Sequence, residues 1–469
     1  MPASLETSMR RVETQLIGTT ADTDDVGLPE RMAHHAVPGV GLAVITNGEI
    51  AYERSYGVRE AGRPDPVTAT TRFQACSISK PVAVLGMLRL VERGVIDLDA
   101  DVNDLLTSWQ VPPNASWQPR VTLRQIASHT AGLTVSGFPG YAVGELFPTL
   151  TQILTGSSPA NTPGVRVDAF PGVQFRYAGG GTTVLQQVLE DVTGQPFREL
   201  IRELVLDPLG MSCSDYAQPL PLELRSEAAT AHSSDGTAVP GGWHVYPELA
   251  AAGLWTTPGD LARFAIAVQC SYHGSPDGIL GVELAKQMLT PQIDSTPRMG
   301  GLELLGVGLF LGGRPEPTTF GHSGGNEGFK CHLLAHRDAG WGAVVMTNGD
   351  RGHALVQEIL NALGRELEWP DYDAAEPPAD IESGAALDAF TGFYELRPGA
   401  TIAVSRRGDD LCVRALGQPE ARFVQVSETE FGSFAADATL RFMRPTDERV
   451  TELILRQNGD ELTCRRIGD

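Results

Sequence analysis

Lysine is nearly absent from this sequence: among 469 residues there are three, Lys80, Lys286 and Lys330. Acidic residues outnumber Lys and Arg by 58 to 36, and the net charge of -22 argues against nucleic acid or an anionic membrane surface as a partner. Long apolar runs are missing too. None approaches the roughly 18 residues that a membrane span needs. Residues 1–18 mix charges of both signs without a continuous apolar core, so they do not read as a secretory signal. Cysteine is sparse and scattered (Cys76, Cys213, Cys270, Cys331, Cys412, Cys464), without the density of a disulfide framework or the close pairs of a zinc site. His332 and His336 are four apart, but they stand in a strand-like segment and lack the glutamate of a zinc-peptidase helix. The expectation is free thiols, a cytoplasmic location, no metal and no cofactor.

With 42% hydrophobic and 20% charged residues, the composition is that of a globular protein, and the length predicts two or three domains. Within it, one short stretch stands out for its chemistry. Ser77 and Lys80 lie three apart where Phe73–Ala75 runs into the apolar segment from Val82 to Val91. Residues at i and i+3 share a helix face, so the hydroxyl and the amine can touch. A helix N-terminus adds a partial positive field. The arrangement makes Ser77 a candidate nucleophile and Lys80 its base. Of the three lysines, only Lys80 has a serine three residues before it.

Patterning around this stretch outlines the fold. Gly41–Gly57 alternates about Asn47-Gly48, a hairpin signal. The segment after Ser77 is apolar on nearly every side, as a buried helix should be, and Gly94 ends it. Thr122–Gln125 has capping-box spacing and opens a short helix ending at Gly132. His129 at its end reads as structural, favoured there by the helix dipole. Ser136–Gly172 is a long excursion rich in Gly, Pro, Ser and Thr, of a kind that shapes clefts. The triplet Gly179–Gly181 precedes an amphipathic helix with Gly194 as its stop. A phosphate cradle there lacks the lysine and the spacing of known phosphate loops. A further helix follows Asp260 and runs through Ala267. Strand-like runs come at Gly306–Leu311, Phe329–His336 and Trp341–Thr347, the last two joined through Asp338-Ala339-Gly340. A final helix covers Ala354–Leu367. Short loops between the late strands predict an antiparallel sheet flanked by helices, an α/β (α+β) arrangement and not a doubly wound one.

Residues 1–369 are expected to form this domain, 370–385 a Pro-, Asp-, Glu- and Ala-rich linker, and 386–469 a separate antiparallel β-barrel or sandwich. Short alternating runs at Thr401–Val404, Leu411–Val413, Phe423–Val426, Leu440–Met443, Leu453–Leu455 and Leu462–Cys464 carry the last prediction. They are separated by turn signals at 407–409 and 458–460.

Gly321-His322-Ser323-Gly324-Gly325, read as lying between strand-like segments, supplies a rival nucleophile, because it fits the elbow pattern G-x-S-x-G. An elbow needs a strand before it and a helix after it. Here a strand-like run follows, and beyond that run His353 is the only histidine, too close to Ser323 for an α/β-hydrolase. Ser77-x-x-Lys80, Tyr177-Ala178-Gly179 and His322-Ser323-Gly324 instead resemble, in order and spacing, the three motifs of the serine β-lactamase and penicillin-binding-protein superfamily. The likeness is to its class-C-like branch of esterases and D-aminopeptidases. Leu123–Leu133 and Ala252–Asp260 also resemble segments of that family, and the likeness covers about residues 30–366.

The resemblance implies a β-lactamase/transpeptidase-like fold with an all-helical subdomain, and a lipocalin-like barrel at the C-terminus. It implies that Ser77 is acylated, that Lys80 accepts its proton, and that Tyr177 shuttles a proton to the leaving group. His322 replaces the usual lysine of the third motif. The N–H groups of Ser77 and Gly325 would form an oxyanion hole, with Ser323, Gly324 and Gly179 lining the pocket. Gly179 stands where the family has an asparagine that binds an acyl-side amide, which tilts the expectation toward small esters. The alternatives are a D-amino-acid peptidase or amidase or a peptide-cyclising acyltransferase, and a penicillin-binding receptor that does not turn over; for the serine hydrolase the resemblance also allows weak β-lactamase activity. The expected partner is a small-molecule or short-peptide acyl substrate.

Overall fold

The structure is a computed structural model. It describes residues 3–16, 26–299, 302–313, 316–372, 387–397, 400–407, 410–415, 421–425, 429–433, 438–443, 450–457 and 460–468. The chain divides into two compact units. The described residues of the first fall within 3–16 and 26–372, and those of the second within 387–468. Residues 373–385 of the expected linker lie outside the described residues.

The first unit is built on one antiparallel sheet. In chain order its strands are β1 (Gly39–Thr46) and β2 (Glu49–Gly57), then, after the short pair β3 (Phe73–Gln74) and β4 (Trp255–Thr256), β5 (Ile293–Met299), β6 (Leu302–Leu305), β7 (Phe310–Gly312), β8 (Thr319–Asn326), β9 (Phe329–His336) and β10 (Gly342–Thr347). The sheet order is β2-β1-β10-β9-β8-β7-β6-β5. Asn47 and Gly48, both with positive φ (54° and 75°), make the β1–β2 turn that the sequence predicts.

Strand alternation divides the sheet into two apolar faces. Ala43, Ile45, Leu333, Ala335, Val344 and Met346 join the core that holds the helices Ser79–Glu92, Gly179–Thr193 and Pro258–Tyr272. Val40, Leu42, Val44, Leu334, Ala343 and Val345 face the helix Gly352–Glu366 and the N-terminal helices. A period of two serves both faces because the sheet is covered on each side.

The second face also buries an ion triad. Arg31 Nε donates to Glu358 Oε2 at 2.9 Å, Arg31 Nη2 lies 2.5 Å from Oε1, and His35 Nε2 lies 2.8 Å from Oε1. Burial alone would raise the Glu358 carboxyl, but Arg31 and His35 hold it below its ordinary value. This contribution is therefore present above the unfolded-state carboxyl pKa and is lost as pH falls through the depressed one. Glu358→Gln removes the buried carboxylate that Arg31 and His35 share, and is expected to cost about 3–5 kcal/mol. The midpoint of urea unfolding at pH 7 measures it; a change below about 0.5 kcal/mol would contradict a structural role for the triad.

Several expectations need correction. The run Gly306–Leu311 becomes strand only from Phe310: residues 306–309 form a turn, with Gly308 at φ 89° against Val84. Gly321–Gly325 does not lie between strands but inside β8. The capping box at Thr122 and Gln125 is present, yet its helix stops at Ala127, well before Gly132. The helix entering through Asp260 runs on to Tyr272.

In the second unit, eight strands close an antiparallel barrel in meander order: β11 (Gly392–Arg397), β12 (Ala400–Arg407), β13 (Asp410–Ala415), β14 (Ala421–Gln425), β15 (Glu430–Ser433), β16 (Ala438–Met443), β17 (Glu452–Gln457) and β18 (Asp460–Gly468), with β18 returning to β11. β11 and β15 are absent from the six runs read in the sequence. The turn residues 408–409 and 458–459 and residue Val426 lie outside the described residues. Among the described residues, side chains cluster in the core of this unit: Phe390 packs on Phe431 and Phe442 at 5.3 and 4.7 Å between ring centroids, flanked by Ile402, Leu411, Phe423 and Leu453. An eight-stranded barrel has an interior just wide enough to be filled this way.

Candidate active site

Ser77 lies in a single 3-10 turn, Cys76–Ile78, that runs directly into the helix Ser79–Glu92. The turn is tied down on several sides. Ser79 Oγ donates to Cys76 O at 2.6 Å and accepts from Leu254 N–H at 3.1 Å, and Tyr216 Oη donates to Ser79 O at 2.7 Å. Cys76, the residue before the serine, has φ 52°. A non-glycine residue in the left-handed region is strained and persists only where its surroundings over-determine it.

Lys80 is 5% exposed. Its Nζ stands 3.0 Å from Ser77 Oγ and donates to Ala251 O at 2.8 Å. It also lies 5.0 Å from the centre of the Tyr177 ring. Burial disfavours the ammonium form and pushes its pKa down to about 7, with Cys76 opposing weakly. Burial raises the Tyr177 phenol above its ordinary value, and its nearness to Ser77 only partly offsets that. An amine able to accept a proton and a phenol holding one therefore flank a single hydroxyl. Two groups whose environments push their pKa values apart are suited to divide base and acid roles.

His322 is 2% exposed, and its Nδ1 lies 2.5 Å from Ser323 O. A carbonyl only accepts, so Nδ1 carries the proton and Nε2 is the bare, accepting nitrogen. Burial first, then Lys80, lower its pKa to about 3. At neutral pH His322 is uncharged. Its ring packs on Phe310 at 5.1 Å and near Tyr177 at 6.3 Å.

The register of β8 and β9 sorts the rest of this stretch. A Cβ on Gly324 would meet Ala75 O at 2.6 Å, Cys331 Sγ at 2.6 Å and Cys76 Cβ at 2.9 Å. Only glycine lets the strand lie against the Ser77 turn. Ser323 pairs with His332 across the ladder. Its side chain therefore takes the opposite face from Gly324, the one covered by the helix Gly352–Glu366. Gly325 is exposed, with His353 and Lys330 on its Cα side. β7 pairs only with Thr319–Gly321, so from His322 to Asn326 that edge of β8 has no strand partner. Strand β8 passes into β9 through Glu327-Gly328, without the strand-to-helix turn of an elbow at Ser323. The structure thus brings Ser77, Lys80, Tyr177, His322 and the backbone of Gly324 together.

His129 was undervalued by the sequence reading. Its carbonyl accepts from Arg176 N–H at 2.8 Å and its Nδ1 from Ala178 N–H at 3.2 Å. Both neighbours of Tyr177 hang on this one residue, and its ring lies 4.3 Å from that of Tyr177. The dipole explanation fails, because burial, Lys80 and His322 keep His129 neutral. It is a positioning residue for Tyr177. The glycine triplet is not an anion cradle either: Gly179 N–H donates to Ser136 O at 3.0 Å and Gly180 N–H to Val135 O at 2.8 Å.

His332 and His336 lie about 13 Å apart along their strand, and His336 is engaged by Asp371 at 3.1 Å and by the N–H groups of Asp338 and Ala339. Among the described residues no three His, Cys, Asp or Glu side chains gather to hold a metal ion. No helix among them is long and apolar enough to cross a membrane.

The family model for beta-lactamase matches residues 28–364. Penicillin-binding protein 4 of Amycolatopsis lactamdurans is 28% identical over 388 residues, covering 79% of this chain and 96% of its own length. Esterase EstB of Burkholderia gladioli is 31% identical over 201 residues, which is 40% of this chain and 49% of that protein. Among solved structures, the octameric penicillin-binding protein homologue from Pyrococcus abyssi aligns with a TM-score of 0.62 at 21% identity, covering 93% of this chain and 98% of the other.

Proposed function

The chain belongs to the beta-lactamase family of serine hydrolases, and from that premise we propose that it cleaves small carboxylic esters through an acyl-enzyme on Ser77. The observation that carries this reading is the 3.0 Å contact between Ser77 Oγ and an amine whose pKa burial brings to about 7. Lys80 takes the serine proton as Oγ attacks the carbonyl carbon. The N–H groups of Ser77 and Gly325 receive the developing oxyanion. Collapse of the tetrahedral intermediate breaks the C–O bond, and Tyr177 passes a proton to the departing alkoxide. The Lys80 ammonium returns a proton to Tyr177; water then attacks the acyl-enzyme carbonyl, the C–Oγ bond breaks, and the proton lost by the water passes through the Tyr177–Lys80 pair to Ser77 Oγ as the acid is released. His322, neutral and accepting at Nε2, keeps the aromatic side of the pocket free of positive charge.

Simple esters are favoured over acylated amino-acid substrates because position 179 offers no side-chain donor for an amide on the acyl side. A side chain there would be crowded as well: a Cβ would lie 3.0 Å from Phe138 Cε2 and 3.1 Å from Ser136 O, so the Phe138 ring would have to shift. The similarity to Penicillin-binding protein 4 over 79% of the chain favours a second reading, a D-aminoacyl peptidase or amidase of the same mechanism. Steady-state rates on p-nitrophenyl acetate and butyrate beside D-alanyl p-nitroanilide decide between them. Ester turnover is expected to exceed anilide turnover by at least about 100-fold, the discrimination a site loses when it cannot pair a polar group. Comparable rates would favour the peptidase.

A further inference from the structure

One element of the cleft has no role in the mechanism above: the loop from Thr134 to Tyr141. Its carbonyls at Val135 and Ser136 take the first two amides of the helix Gly179–Thr193. The glycines there admit it, since a Cβ on Gly180 would fall 2.5 Å from Thr134 O. Val135 is held at φ 66°, a conformation that β-branched residues avoid and that marks strain maintained by the surroundings. From there the loop crosses toward β8. Pro139 O receives His244 Nδ1 at 3.0 Å, and Tyr141 N–H donates to Val245 O at 2.9 Å. The Cα side of Gly140 abuts the Tyr246 ring. Tyr246 Oη in turn accepts from the N–H of Glu327, in the β8–β9 turn, at 3.0 Å.

Within a few residues the loop therefore spans from Gly179, two positions past Tyr177, to Tyr246, which holds the residue two past Gly325. It thus joins the segment that follows Tyr177 to the residues that hold the β8–β9 turn. Phe138, half-buried, is the side chain that this loop sets against Gly179.

We propose that Phe138 is a specificity-determining residue: its ring is the surface on which an apolar aryl or alkyl group of the ester packs, in the space that a polar side chain at position 179 would need. The inference rests on the ester-hydrolase reading and names its substrate class, esters carrying an apolar group without an amide next to the scissile carbonyl.

The test compares kcat/KM for p-nitrophenyl acetate, butyrate, hexanoate and benzoate, and for acetates of short and aromatic alcohols, in the wild type, Phe138→Ala and Phe138→Leu. The wild type is expected to prefer the larger apolar members by about 10- to 200-fold. Phe138→Ala should lose at least about 10-fold of that preference while its rate on p-nitrophenyl acetate stays within about 3-fold, and Phe138→Leu should keep most of it. Loss confined to the acyl series places the acyl group on the ring, and loss in the alcohol series places the alcohol there; either supports the proposal. An unchanged preference in Phe138→Ala, or an equal fall on every substrate, overturns it. A wild type inactive on all these esters would instead sink the underlying ester reading.

Discussion

Ser77→Ala is expected to abolish both the acyl-enzyme burst and steady-state ester hydrolysis, with kcat reduced by at least about 10⁴-fold. Losing a nucleophile that works as a unit with its base removes nearly all covalent catalysis, and what remains is the oxyanion site and binding. The rival serine makes the experiment decisive. In Ser323→Ala the hydroxyl lost is one that the β8–β9 register sets on the far face of the sheet, opposite Gly324 and the Ser77 turn, so kcat should stay within about 5-fold of wild type. Stopped-flow release of p-nitrophenolate and intact-mass detection of the acylated protein measure the two variants. Turnover that survives in Ser77→Ala but vanishes in Ser323→Ala would refute the assignment. A stoichiometric burst in the wild type followed by no steady state would mark a receptor that acylates without turning over.

The second large effect concerns Lys80. The base must be neutral to act, and its pKa is about 7. The sign follows: below pH 7 the ammonium form dominates and kcat/KM falls about tenfold per pH unit, and above about pH 8 the rate reaches a plateau. His322, lowered to about 3, adds no inflection near neutrality. Lys80→Met should lower kcat by about 10³- to 10⁴-fold and abolish the inflection in whatever activity remains. An inflection near pH 7 that persists in Lys80→Met would assign the titration to another group. Lysine also holds the Ala251 carbonyl at 2.8 Å, so the folded state of the variant is to be checked by its thermal unfolding.

Gly179 shows how far resemblance can go and where it ends. An unusual residue in a motif is visible in the sequence, but what occupies the vacated volume is not. Phe138 and Ser136 come from 41 and 43 positions away, inside an excursion with no periodicity to read. His129 illustrates a different limit. Its place at a helix end is a local fact, whereas its two bonds to the residues flanking Tyr177 are long-range ones. β8 was hidden by its own chemistry. Three glycines in five residues have poor strand propensity, and they are tolerated because another backbone lies against them. The barrel strand β15 is short and carries Gly432 in its centre, which removes the alternation that betrayed its neighbours.

The sequence by itself determined the features whose cause lies within a few residues. The Ser77–Lys80 pair follows from helix spacing, the β1–β2 turn from Asn47-Gly48, the capping box from Thr122 and Gln125, and the covered sheet from runs of apolar strands. Tertiary structure alone decided what depends on which distant groups exclude water or occupy space. Burial, not the motif, lowers Lys80 to about 7 and holds His322 neutral. Register, not proximity in sequence, sends Ser323 to the far face. Packing by a remote loop fills the place beside Gly179. A pKa, a side-chain face and a filled volume are set by neighbours that the chain brings together only on folding.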